Sequence, residues 1–261
     1  MTDAETWFQR WPSHPAPAYR LVCFPHAGGS AAFYRDWPTH LPGAEVLAVR
    51  YPGRAERIEE PPPANLVRLA REIATALTSS CTGLPLALFG HSMGAAVALE
   101  TARALEAGGA RVEHLFASGT RDAPLPDPPD PTDDAEIDER SAVEQLAGIG
   151  GTSREMLDNP MFRELVLPYV MADSRMFHAY RMPTDPILHC PVTVLTGDRD
   201  DEADPRPWHT LTTAPVVCHT LRGDHFYLVD EPPYPVLNAV RPTLVGTEPL
   251  ESAHPESRYA S

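Results

Sequence analysis

Short apolar runs recur along this chain with helical patterns between them, and that alternation restricts the fold more than any other feature. YRLVCF (Tyr19 to Phe24), EVLAVRY (Glu45 to Tyr51) and LPLALF (Leu84 to Phe89) have the length and flanks of strands, and VEHLFASG, PVTVLTG and PVVCHTL continue the series. ANLVRLAREIATAL sets Leu66, Leu69, Ala70, Ile73, Ala74 and Leu77 on one helical face, and a second helix is expected from Met93 to about Leu105, directly after LPLALF. Strands that alternate with crossover helices pair in parallel, and a parallel sheet needs cover on both faces. An α/β fold with a mostly parallel central sheet and helices on both faces is therefore expected. The 261 residues fit one domain of that class, which commonly runs to ~250.

The alternation breaks between Thr120 and Cys190. The Pro/Asp run DAPLPDPPDPTDD leads into two or three helical stretches with no strand among them, so residues 121–189 are expected to be a helical insertion covering the site as a lid. Met156, Met161, Met171, Met176 and Met182 fall here, joined by Phe162, Phe177 and Tyr180. Methionine is flexible and polarizable, so such a surface can repack around different ligands. Met161, Phe162, Met176 and Phe177 are the candidates for a substrate channel, against the plainer reading that each only fastens the lid to the core. Gly148, Gly150 and Gly151 are places where the lid could move. Residues 246–261 read as a disordered, solvated tail.

The stretch LFGHSMGAA puts Ser92 between Gly90 and Gly94. By itself G-x-S-x-G is weak, since about 0.1 matches are expected by chance in a chain of this length. Here it lies between an expected strand and an expected helix, where a sharp turn lifts the serine hydroxyl above the sheet edge. A Cβ at position 90 or 94 would crowd that turn and the strand-to-helix packing. A helix cap would explain the serine but not both glycines, so Ser92 is read as a nucleophile.

A serine hydroxyl needs a base to take its proton and a third group to orient the base. In strand-turn-helix hydrolases these follow in the order serine, acid, histidine. TGDRDD follows PVTVLTG and GDHF follows PVVCHTL, both at carboxyl ends of strands, where open α/β sheets place their sites. His225 is preferred by position: His219 lies within a strand, His254 in the tail, and His91 inside the elbow, where packing is expected. Asp198, Asp200 and Asp201 compete as the acid. Asp198 touches the strand end and suits the turn, so Asp200 is preferred. For the oxyanion, the backbone N–H of Met93 and one from the loop PHAGGS are expected, with Ala27 as the second donor.

FPHAGGSAAFYRDW, RYPGRAERIEEP, LFGHSMGA, LTGDRDDEADPRPW and LRGDHFYL together resemble the type II thioesterases that accompany polyketide and nonribosomal peptide synthases, in order and spacing from about Tyr19 to Leu244. The resemblance implies an α/β-hydrolase fold with a helical lid. It also implies hydrolysis of acyl groups from the phosphopantetheine thiol of acyl or peptidyl carrier proteins, which clears stalled or mis-primed synthases. It carries over Ser92, Asp200 and His225 as the triad, with Ala27 and Met93 as oxyanion donors. The lid segment MADSRMFHAY departs from the family pattern at His178. An acyl-CoA or ester hydrolase, or a product-releasing acyltransferase, keeps every one of these residues, because fold and triad do not fix the acyl carrier.

Charge limits the partners. A net charge of −15, with all 21 basic residues arginine, argues against nucleic acid and against an anionic membrane surface. Arg50, Arg54 and Arg57 form the only local basic cluster near the strand ends, and one of them is expected to meet the phosphopantetheine phosphate unless Glu56, Glu59 and Glu60 neutralise it. With no opening apolar segment and no run of about 18 apolar residues, a cytoplasmic location is expected; separately, the protein is expected to be a monomer. Cys23, Cys81, Cys190 and Cys218 are scattered and read as buried free thiols. Histidine and cysteine show no recognised zinc spacing, so neither metal nor cofactor is expected.

Overall fold

The computed structural model describes residues 3–12, 16–80, 83–120, 154–181, 188–200, 206–229 and 234–245. Among these, seven strands form one sheet: β1 (Phe8–Arg10), β2 (Tyr19–Phe24), β3 (Ala44–Val49), β4 (Leu86–His91), β5 (His114–Ser118), β6 (Val192–Gly197) and β7 (Val216–Leu221). The spatial order is β1-β3-β2-β4-β5-β6-β7. Every neighbouring pair is parallel except β1, which runs antiparallel to β3. The described helices are α1 (Asp3–Trp7), α2 (Trp37–His40), α3 (Leu66–Ser79), α4 (Met93–Ala107), α5 (Arg154–Leu157), α6 (Pro160–Leu165), α7 (Leu167–Ala179) and α8 (Pro235–Val245).

The strand pattern divides the core in two. In β2 all six residues are buried and alternate in direction. Val22 and Phe24 pack with α3 and α4 on one face, whereas Leu21 and Cys23 pack with Tyr34, Trp37 and α8 on the other. Each such aliphatic side chain contributes roughly 1.5–3 kcal/mol by leaving water. The Asn65 side chain caps α3 by accepting the Arg68 N–H at 2.9 Å. Its expected stripe, Leu66, Leu69, Ala70, Ile73, Ala74 and Leu77, is buried throughout. Helix α4 has little solvent face at all, with Met93 through Ala102 buried.

Three features differ from the sequence reading or extend it. Strand β1 was not anticipated: it has three residues, of which only Phe8 is buried, too few for a period-2 pattern to register. Cys23 and Cys190 are buried free thiols, but Cys218 is exposed, because β7 is the sheet edge and its outer side is left uncovered. Residues 154–181 hold three helices and no strand. The Pro/Asp run, Gly148, Gly150, Gly151, Met182, Cys81 and the segment 246–261 lie outside the described residues, as does the Met156 side chain. No described helix is long and apolar enough to cross a membrane.

Candidate active site

Strand β4 ends at His91 and α4 begins at Met93, leaving Ser92 alone to make the turn. Ser92 adopts φ 55° and ψ −124°, one of two non-glycine residues with positive φ among the described ones. A residue held there stores on the order of 1–3 kcal/mol, which the surroundings must offset. Ser92 N–H donates to the Ser118 carbonyl at 2.8 Å and Ser92 C=O accepts the Ala95 N–H at 2.9 Å, so both sides of the residue are tied down. Its hydroxyl makes no cap to the helix. The flanking glycines are required by contact: a Cβ on Gly90 would lie 2.2 Å from the Gly94 carbonyl oxygen, and one on Gly94 would lie 2.1 Å from that of Phe24. That second approach seats the start of α4 against the loop leaving β2.

The turns after β6 and β7 bring Asp200 to His225. His225 Nδ1 lies 2.8 Å from Asp200 Oδ2, with side chains 5% and 2% exposed, so the pair is dry and its geometry firmly held. Asp198 does something else: its Oδ1 accepts the Gly223 N–H at 2.8 Å, and its own N–H donates to Leu221 C=O at 2.7 Å, pinning one turn to the other. Asp201 lies outside the described residues.

Beneath this pair sits a neutral aromatic floor. The His91 ring is 5.0 Å from that of His225, centroid to centroid. Its Nδ1 is 3.0 Å from Ser118 Oγ, Ser118 Oγ is 2.5 Å from the Tyr227 hydroxyl, and Tyr227 donates to Leu195 C=O at 3.0 Å. Burial, then the neighbouring His225 and His26, push the His91 imidazole well below its usual range. His26, edge-on between Phe33 at 4.9 Å and Phe226 at 5.0 Å, is pushed down to about 4, chiefly by burial and then by His225 and Arg54. Both rings are therefore uncharged near neutral pH. The loop PHAGGS turns at the Gly29 N–H to His26 C=O bond of 2.9 Å. Among the described residues the Ala27 and Met93 amides donate to no acceptor.

The basic cluster read from the sequence is not a free surface. Arg54 is 2% exposed and grips Asp173 of α7 with two bonds of 2.5 Å, and its Nη1 also reaches the Gly29 carbonyl at 3.2 Å. Arg57, 8% exposed, chelates Glu60 at 2.7 and 2.6 Å and lies over the Trp7 ring. Arg50 bonds the Glu5 carbonyl and the Gln9 side chain. A guanidinium in so dry a place requires a carboxylate partner, and Arg54 and Arg57 each find one within this chain. Asp173 was missed in the sequence, although a signal was present: it falls on the buried stripe Leu167, Val170, Asp173, Met176, a charged residue in an apolar register. The departing residue His178 is exposed, its Nδ1 donating to the Ser174 carbonyl at 2.7 Å.

The lid candidates separate by burial. Met161 is 67% exposed and Phe162 half-buried. Met176 is 2% exposed within the α3/α4 core, and Phe177 packs against that core. Tyr180 is buried, with its hydroxyl donating to Glu100 Oε1 at 3.0 Å. No group of three or more His, Cys, Asp or Glu among the described residues could hold a metal ion.

Comparison with known proteins agrees with this architecture. The model of the thioesterase domain family matches residues 19–242, and the chain belongs to that family. It is 38% identical over 236 residues to thioesterase PikA5 of Streptomyces venezuelae, covering 88% of this chain and 82% of that protein. Among solved structures, the type II thioesterase BorB from the borrelidin biosynthetic cluster superposes with a TM-score of 0.79 at 36% identity, covering 94% of this chain and 99% of BorB. YbtT, a type II thioesterase of the yersiniabactin pathway, superposes with a TM-score of 0.80 at 28% identity, covering 92% and 99%. The sheet and helices are those of the α/β-hydrolase fold.

Proposed function

We propose that the protein is a type II thioesterase that hydrolyses acyl groups from the phosphopantetheine arm of acyl or peptidyl carrier proteins and so clears stalled or mis-primed synthases. The observations that carry this reading are the dry 2.8 Å contact between His225 Nδ1 and Asp200 and, at the elbow, a strained Ser92 whose hydroxyl caps nothing. With Nδ1–H donated to the carboxylate, Nε2 is the basic nitrogen. Ser92 Oγ attacks the thioester carbonyl carbon as its proton passes to His225 Nε2. The Ala27 and Met93 amides take the tetrahedral oxyanion, the C–S bond breaks, and the thiol leaves with the proton from His225. Water then gives a proton to His225, attacks the acyl-serine carbonyl and releases the acid, returning Ser92. No cofactor enters the sequence.

In the same reading, residues 1–245 form the hydrolase domain with its lid at 121–189, and the protein is a cytoplasmic monomer. The acyl channel runs by Met161, Phe162 and Phe177, with Met176 packed beneath. Carrier proteins are acidic in this picture and the chain itself is at −15, so encounter proceeds without electrostatic steering.

The deciding test sets one acyl group on a carrier protein, on coenzyme A and on a simple ester. The reading expects the highest kcat/KM on the carrier protein. Equal or reversed rates point to an acyl-CoA or ester hydrolase of the same fold, and transfer to an added amine or alcohol in preference to water points to a product-releasing acyltransferase.

A further inference from the structure

The lid and the oxyanion loop share one polar joint. Asp173 on α7 accepts the Gly28 N–H at Oδ2, 2.8 Å away, while both its oxygens accept from Arg54. One turn earlier on the same helix, Val170 packs on Gly28 so closely that a Cβ there would lie 2.7 Å from Val170 Cγ2. Gly28 has φ +76°, so its hydrogen atom serves both the left-handed backbone and the helix contact. Arg54 then donates to the Gly29 carbonyl at 3.2 Å, so the two glycines are gripped from opposite sides of the ion pair. On the far side of the loop, the buried hydroxyls of Tyr34 and Tyr51 hold the Phe24 and Pro25 carbonyls at 3.0 and 3.2 Å.

The grip reaches the reacting centre through one peptide plane. Gly29 N–H donates to His26 C=O at 2.9 Å. In a trans peptide the C=O and the following N–H point in opposite directions, so holding His26 C=O aims Ala27 N–H the other way. We propose that Asp173 is a positioning residue for acyl transfer: braced by Arg54, it fixes Gly28 and thereby aims the Ala27 N–H, so the oxyanion hole is complete only when lid helix α7 is seated. This rests on Ala27 being an oxyanion donor. The same brace keeps the Asp173 charge from opposing the oxyanion, because Arg54 neutralises it on the spot.

Removing either charge alone would strand the other in a dry place, so the test replaces both. Arg54→Met with Asp173→Leu removes the pair and the Gly28 acceptor, whereas Arg54→Met with Asp173→Asn removes the pair but retains an amide oxygen for Gly28 N–H. Both are compared with the parent well below their melting temperatures, in kcat and KM on a small activated ester and in affinity for an alkyl boronic acid, which forms a tetrahedral adduct on serine. Losing one oxyanion donor outright typically lowers kcat about 100- to 1000-fold. Misaiming one is expected to cost the leucine variant about 10- to 100-fold in kcat and a matching factor in boronate affinity, with KM within about twofold, and the asparagine variant to regain most of it. A lid that is only anchored by the pair would leave kcat and boronate affinity at parental values in both variants, and that overturns the proposal. Equal losses in the two overturn it as well, since the Gly28 acceptor would then be irrelevant. Should the parent itself resist fluorophosphonate labelling at Ser92, the underlying site reading fails, an outcome distinct from either of these.

Discussion

The elbow after β4 and the lid helix α7 each present a polar side chain, half-buried at Ser92 and fully buried at Asp173, and they treat it in opposite ways. Ser92 sits in a strained backbone with both backbone groups tied, yet its hydroxyl has no hydrogen-bond partner among the described residues. Asp173, fully buried, has both oxygens occupied, by Arg54 twice and by the Gly28 amide. A group left unsatisfied by its own protein is available to a substrate, whereas one satisfied on every side holds other groups in place. The same contrast separates the two acids on the β6 turn. Asp198 spends its carboxylate on a backbone amide, and Asp200 spends its own on a titratable ring.

The largest expected effects lie at the unsatisfied end of that contrast. Ser92→Ala should abolish thioester hydrolysis, and Asp200→Asn should lower kcat by about 10⁴-fold, because the imidazole loses the acceptor that sets its tautomer. Asp198→Asn should cost only a few-fold in kcat/KM. If Asp198→Asn were the crippling change and Asp200→Asn nearly silent, the division between the two acids would be reversed.

Next come effects on stability within the lid itself. Met176→Ala should destabilise by roughly 2–5 kcal/mol because it empties part of a packed core, while Met161→Ala should stay within about 0.5 kcal/mol in denaturant titrations. Equal costs would mean that α6 is as firmly seated as α7. In activity the order is expected to invert: Met161→Trp or Phe177→Trp shifts acyl-chain preference and leaves labelling by a small fluorophosphonate intact. An unchanged acyl profile in both would make this part of the lid a fixed cover.

Acid should weaken the fold through its buried imidazoles. His26 and His114 are each held down to about 4, His114 by burial beneath its contact with Thr193. Their folded pKa values lie below the ordinary 6.5, so their contribution is complete above pH 6.5 and is lost as pH falls towards 4. Each accounts for up to about 3 kcal/mol by the 1.36 kcal/mol per unit conversion. Thermal melts between about pH 7 and pH 4.5 should show this slope, and His114→Gln, remote from the site, should flatten it. A slope unaffected by that change would place the acid sensitivity elsewhere.

What could be read from the sequence follows the same physical division. The elbow was legible because the turn itself repeats as a short G-x-S-x-G pattern between a strand and a helix: Gly90 is demanded by Gly94 and Ala95 within five residues, although Gly94 is demanded by the distant Phe24 and Pro25 carbonyls. Strands β2 to β6 were legible because buried parallel strands are continuous apolar runs, and the exposed edge strand β7 because PVVCHTL keeps a short apolar run after a turn. Asp200 could be preferred over Asp198 because the distance to the strand end separates a turn residue from one that can reach across. The Arg54–Asp173 joint was only half legible: Asp173 stands out as a charge in an apolar register, but its partner is 119 residues away and Arg54 looks like an ordinary surface charge in its own segment. For the arginine cluster, RYPGRAERIEE leaves two readings, a phosphate ligand or a self-paired loop: Glu60 pairs with Arg57 as the second expects, but the acid that occupies Arg54 lies in α7. Strand β1 is too short to show a period.

The central claim is that Ser92 is the nucleophile by which the thioester is opened. It is tested most directly by titrating the protein with a fluorophosphonate while following hydrolysis of an acylated carrier protein in the same samples, with the modified residue located by peptide mass spectrometry. The account predicts one label per chain, on Ser92, with hydrolysis falling in proportion to the labelled fraction. Hydrolysis that persists in fully labelled protein, or is lost through a label on another residue, would contradict it.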